Sequence, residues 1–134
     1  MYYITSYTKA LSVFPIHFRS GIPVYEQVLY AARKAIVSGD LKPGELFPSV
    51  RALSAEYKIN PNTVQKALVA LRAEGLIESL PGIGNRVVET PPSSALERRE
   101  LLGEPLESIV IKAKQLNLTA DDLKKAIDKH WSIL

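Results

Sequence analysis

The chain has no cysteine and only two histidines, His17 and His130, in 134 residues. Without thiols there is no disulfide, no thiolate zinc site and no cysteine nucleophile, and two histidines so far apart in sequence do not make a His-rich metal site. No stretch approaches the roughly 20 consecutive apolar residues of a membrane-spanning helix. Thr, Ser and Lys interrupt Met1 to Val13, so the unbroken apolar core of a signal peptide is missing too. These absences predict a soluble, unexported, cytoplasmic protein with no metal, no cofactor and no membrane partner. Charge of one sign is also scarce: 17 Lys and Arg oppose 14 Asp and Glu, leaving +3. Such a balance permits a polyanionic partner without requiring one.

What is present divides into three textures. Residues 1–21 form an N-terminal arm, with three tyrosines in its first seven positions and an alternating Phe14-Pro15-Ile16-His17-Phe18 run that predicts a short strand or extended segment. Residues 22–90 carry the densest periodic pattern. Pro91-Pro92-Ser93-Ser94 then punctuates the chain before a helical tail, residues 91–134. The tail is electrically neutral, with seven basic and seven acidic residues, so the small excess lies in residues 1–90.

Within 22–90, Val24, Tyr25, Val28, Leu29, Ala32 and Ile36 recur at three-to-four spacing between Pro23 and Ser38-Gly39, which predicts a helix of about four turns. Lys42-Pro43-Gly44-Glu45 reads as a tight turn, because Pro presets the second position and Gly supplies positive φ at the third. Ser49 caps a second, shorter helix that buries Val50, Leu53 and Tyr57. Asn60 caps a third, with Pro61 at its first position, where a missing N–H costs nothing. It ends at Glu74-Gly75. Leu76 to Ser79 and Arg86 to Glu89 alternate as two strands about the Gly-rich turn Leu80-Pro81-Gly82-Ile83-Gly84-Asn85. The fold class expected is mainly α with a small β-hairpin: a winged helix-turn-helix followed by a helical region.

The third helix sorts into two stripes at helical spacing. Val64, Ala67, Leu68 and Leu71 belong to the core, and Asn62, Gln65, Lys66 and Val69 face the other way. No carboxylate occurs from Asn60 to Arg72. The amides of Asn and Gln match the donor and acceptor pair of an adenine edge, and Lys serves guanine or phosphate, so this face suits a major groove. Arg51 lies in the first turn of the second helix, the one that crosses the DNA backbone in a helix-turn-helix. Gly82 and Gly84 let the hairpin approach phosphate or the minor groove, with Asn85 and Arg86 as polar contacts. Any one of these features alone is more often an ordinary solvated surface, but their order on one fold favours DNA.

The segments Pro23-Val24-Tyr25-Glu26-Gln27-Val28, Ser38-Gly39-Asp40-Leu41-Lys42-Pro43-Gly44, Pro48-Ser49-Val50-Arg51, Asn60-Pro61-Asn62-Thr63-Val64 and Glu74-Gly75-Leu76-Ile77 together resemble the DNA-binding domain of GntR-type bacterial transcription regulators. The resemblance implies a homodimer on operator DNA. It points to Arg51 as a backbone contact, to Asn60, Asn62, Thr63, Gln65 and Lys66 on the recognition helix, and to the Gly82 to Arg86 turn as the wing. It departs from the family at Ala52, where Glu is common and would complete a capping box with Ser49, and at Ile83 and Asn85, where the wing commonly has a basic residue and Thr. The 44 residues after Thr90 resemble the YtrA-type subfamily, in which a compact helical tail dimerises.

The tail's own pattern agrees, since Leu106, Ile109, Val110 and Ala113 form one apolar stripe. After a Thr119 cap, Leu123, Ile127, Trp131 and Leu134 form another. Helices this short cannot bury both stripes alone; they can pack on the winged domain, on a partner subunit or on both, and a twofold partner is the commonest solution. A tail this short has room for a small-molecule effector at the dimer interface, and a signal can instead act by changing the separation of the two reading heads; the residues identify no effector. The function expected is a sequence-specific, DNA-binding transcription regulator, a repressor on a palindromic double-stranded operator. Its rival is a winged-helix protein-interaction module that never touches bases. An enzyme is not expected, because no nucleophile elbow, phosphate loop or clustered His motif links the available side chains.

Overall fold

The structure is a computed structural model that describes residues 15–89 and 93–134. The chain divides between Pro91 and Pro92 into two compact units, a head and a tail. The Tyr-rich start of the arm and Phe14 lie outside the described residues, as do positions 90–92. In the part of the arm that is described, residues 15–19 form no strand.

The head runs in the order α1 (Val24–Val37), β1 (Leu46–Phe47), α2 (Val50–Tyr57), α3 (Pro61–Ala73), β2 (Ile77–Leu80) and β3 (Gly84–Val87). Local chemistry fixes each boundary. Helix α1 stops at Val37, with Gly39 at φ +81° just beyond. The Ser49 side chain accepts the Ala52 N–H at 3.0 Å to start α2, and Lys58 in the left-handed region at φ 53° ends it. The Asn60 side chain accepts the Asn62 N–H at 2.9 Å above Pro61. Lys42 to Glu45 closes as a turn, with Glu45 N–H on the Lys42 carbonyl at 3.1 Å and Gly44 at φ +84°.

The three helices pack around Leu29, Ala32, Ala35, Leu53, Val64, Leu68 and Leu71, and the sheet adds Phe47, Ile77 and Val87 to the same buried cluster. Val50 and Tyr57 are only half-buried at its margin, short of the burial expected for them. The sheet differs from the two-strand expectation. Leu46-Phe47 is a third, edge strand, giving the antiparallel order β1-β3-β2 with Leu46 opposite Arg86 and Phe47 opposite Asn85. The hairpin strands are also shifted relative to the alternation pattern. Leu80 pairs with Gly84, so the loop is only Pro81-Gly82-Ile83, and Val88 and Glu89 fall outside β3. Ile83 N–H reaches the Leu80 carbonyl at 3.0 Å, with Pro81 and Gly82 (φ +73°) at the turn's centre.

The segment before α1 is fastened to the head by Gln27. Its amide oxygen accepts the Arg19 N–H at 2.8 Å, and its nitrogen donates to the Arg19 and Ile22 carbonyls at 3.0 and 2.9 Å. Ile16 packs against the core cluster. Phe18 meets Tyr57 edge-on at 6.4 Å between ring centroids, and burial pushes the Tyr57 hydroxyl up to about 12.

The tail holds α4 (Ala95–Leu102), α5 (Glu104–Gln115) and α6 (Ala120–Ile133). Ser94 with Glu97, and Thr119 with Asp122, form complete capping boxes. Of its two apolar stripes only Ala113 is buried and Leu123 half-buried, while Leu106, Ile109, Val110, Ile127, Trp131 and Leu134 are exposed. No helix among the described residues is long and apolar enough to cross a membrane.

Candidate nucleic-acid interface

Helix α3 presents its two stripes as their chemistry requires. Val64, Ala67 and Leu71 have no exposed surface, and Leu68 is buried beside them. On the opposite side Asn62, Gln65, Lys66 and Val69 are exposed, and Thr63 is half-buried. The Asn60 carbonyl group of the side chain is occupied by its cap, so Asn60 shapes the start of the helix while Asn62 and Gln65 keep their amides open. The Lys66 ammonium stands 5.6 Å from the centroid of the Tyr25 ring on α1, a cation–π contact that holds a long side chain over the helix surface.

Arg51 is exposed in the first turn of α2, and no hydrogen bond or ion pair among the described residues engages it. Ser49 satisfies a single N–H there, which leaves the helix N-terminus open to an anion. The capping box is incomplete because Ala52 occupies the position of its acid. Ala52 is instead buried in the core cluster. The positive end of α2 therefore keeps no carboxylate in its first turn.

The wing differs most from the sequence expectation. Gly82 and Gly84, at φ +73° and +136°, meet nothing within 4 Å of where a Cβ would lie, so their conformation rather than crowding requires glycine. Ile83 stands between them at 69% exposure. Arg86 is ion-paired across the hairpin with Glu78, the residue opposite it in register. Asn85 accepts a hydrogen bond from Arg72 at 3.1 Å. The two polar wing residues thus have partners within the head. Elsewhere Arg33 on α1 grips Glu74, at the end of α3, through two guanidinium nitrogens, and that bond raises the arginine pKa further. Among the described residues no group of three or more His, Asp or Glu side chains gathers as metal ligands would.

The site therefore combines an acid-free helix face, an open helix N-terminus with its arginine, and a glycine-flanked wing on one small head. The family model described as "Bacterial regulatory proteins, gntR family" matches residues 24–87. The HTH-type transcriptional repressor YtrA of Bacillus subtilis is 34% identical over 110 residues, which cover 81% of this chain and 85% of the relative. The chain belongs to the GntR family. The uncharacterized HTH-type transcriptional regulator YhcF of the same species is 31% identical over 82% of this chain and 91% of its own length. Among solved structures, a transcriptional antiterminator from Listeria monocytogenes EGD-e superposes with a TM-score of 0.76 at 26% identity, covering 87% and 88% of the two chains. The GntR-family factor YtrA from Sulfolobus acidocaldarius gives 0.51 at 29%, covering 88% and 96%. Both reach well past the GntR head, so the short helical tail is part of the likeness.

Sequence reasoning missed two contributors to this site. Tyr25 sits on α1 with a core-like spacing, and nothing in that spacing indicates that its ring lies under Lys66. Arg72 enters the sequence pattern only as the end of the carboxylate-free stretch, and its link to Asn85 depends on a hairpin residue 13 positions away.

Proposed function

We propose that this GntR-family, DNA-binding transcription regulator is a repressor that binds a palindromic operator as a homodimer, with α3 of each protomer in a major groove. Half-sites are then centred about one helical turn apart, roughly 10 base pairs, or a multiple of it. One observation carries the reading: the exposed face of α3 sets Asn62, Gln65 and Lys66 side by side with no acid from Asn60 to Arg72. Those side chains set sequence preference through base edges. Arg51, the N–H groups around it and the wing backbone hold phosphates and set the salt dependence. The dimer is supported by the apolar stripes of α5 and α6, which lie largely exposed in the single chain. Such a regulator works in the cytoplasm, where its operators are.

Selection of bound duplexes from a random pool by the full chain tests the proposal. An enriched two-half-site palindrome is expected. No enrichment above background would refute it and favour a winged helix that binds protein instead.

A further inference from the structure

The hydrogen bond from Arg72 Nη1 to Asn85 Oδ1, 3.1 Å long and spanning 13 residues, ties the last turn of the recognition helix to the second residue of β3, the central strand of the sheet. Both residues are half-buried. Successive strand residues point to opposite faces, so Asn85 and Arg86 are directed apart: Arg86 to Glu78 across the hairpin, Asn85 to α3. The hairpin's base is also tied to the head by the pairing of β1 with β3, Phe47 opposite Asn85, by Ile77 and Val87 in the core, and by backbone bonds lower down. Val88 N–H reaches the Leu76 carbonyl, Val87 N–H the Glu45 carbonyl and Gly44 N–H the Val87 carbonyl, at 2.8 to 3.0 Å. Above them the tip residues Pro81 and Ile83 are exposed, and nothing lies within 4 Å of where a Cβ would stand at Gly82 or Gly84. The loop Pro81-Gly82-Ile83 has positive φ at its centre, Gly82, and Gly84 directly follows it with positive φ as well.

We propose that Arg72 and Asn85 form a brace that sets the pitch of the wing against the recognition helix, so that wing and helix meet the duplex in fixed register. Arg72 is then a positioning residue for operator discrimination, and Asn85 acts through Arg72 instead of reading a base. Asn85 is uncharged, so the pair keeps the guanidinium's positive charge, and the brace uses one of its five N–H donors, which leaves others for a phosphate. The proposal rests on the DNA-binding reading above for its consequence, though the brace itself is a property of the free protein.

The test is a double-mutant cycle with Arg72→Ala, Asn85→Ala and both together in the full chain, read in two ways. In the free protein, residual dipolar couplings of residues 77–87 measured against those of 61–73 report hairpin orientation. Each single variant is expected to shift or average the hairpin couplings and leave α3 intact, and Asn85→Asp, which keeps an acceptor for the guanidinium, is expected to retain them. Unchanged couplings in both alanine variants would overturn the brace. On the duplex enriched by selection, each single variant is expected to lose roughly fivefold in affinity, the worth of one hydrogen bond. The double variant is expected to lose no more than either single one. Losses that multiply, to roughly 25-fold, would mean two independent contacts and overturn the proposal. If the parent chain enriches no duplex, the operator reading fails while the couplings still decide the brace.

Discussion

Among the described residues of the head Gln27 is the buried polar side chain, and all its described bonds go to the backbone of Arg19 and Ile22. Gln27→Leu keeps the volume but strands one N–H and two carbonyls. A loss of about 1 to 3 kcal/mol is expected in urea denaturation of the full chain, with faster amide exchange at Arg19. On α3 the expectation concerns binding. Gln65→Ala should relax discrimination at one operator position by about 1 to 3 kcal/mol, whereas Arg51→Ala should weaken all duplexes alike and lower the salt slope by about one. Equal loss on operator and random DNA for Gln65→Ala would remove it from base reading. The stripe that carries Gln65 is legible in sequence because helical spacing alone separates it from Val64, Leu68 and Leu71. The same spacing is silent about Arg86, whose pairing with Glu78 depends on strand register.

At the scale of elements, caps were readable and short strands were not. Ser49, Asn60 and Thr119 each accept the backbone N–H expected of them, since a cap is written within four residues. Leu46-Phe47 is too short to alternate and becomes a strand only by pairing with residues 85 and 86, some forty positions on. The hairpin's bounds moved for a similar reason: Gly84 and Asn85 carry no strand preference, yet pairing with Leu80 and Ser79 enrols them.

The caps also carry a pH dependence. Hydrogen bonds from the side chain and backbone of Ser94 lower the Glu97 pKa below its usual 4.5. Those from the Thr119 backbone and side chain lower Asp122 below 3.8. A carboxylate with a depressed folded pKa stabilises fully above its unfolded value and loses that contribution as pH falls through the folded one. The first turns of α4 and α6 should thus be intact at neutral pH and fray only as the pH falls below the ordinary carboxylate range and through the lowered folded values. Carbon chemical shifts at residues 94–97 and 119–122 would follow this, and Thr119→Ala should produce the same fraying of α6 at pH 7.

For the whole molecule, the decisive quantity is how much apolar surface the tail leaves uncovered. Ile109 and Ile127 are each about half exposed, and Trp131, the only tryptophan of the chain, is 82% exposed. An exposed side chain that stays solvated can be replaced within about 0.5 kcal/mol. If the stripe meets a second copy, a charge there must instead be desolvated or prevent association. Ile109→Lys is therefore expected to leave the urea stability of the head unchanged while shifting sedimentation from dimer to monomer. Trp131 emission is expected to be blue-shifted and concentration-dependent in the parent chain, and in the variant to be that of a solvent-exposed indole at every concentration. Operator affinity should fall about 100-fold or more, because the second half-site is no longer presented at high effective concentration. A variant that remains dimeric with unaltered emission would place the interface elsewhere. Loss of dimer with full operator affinity would show that one head suffices and that the palindrome is not what the protein reads.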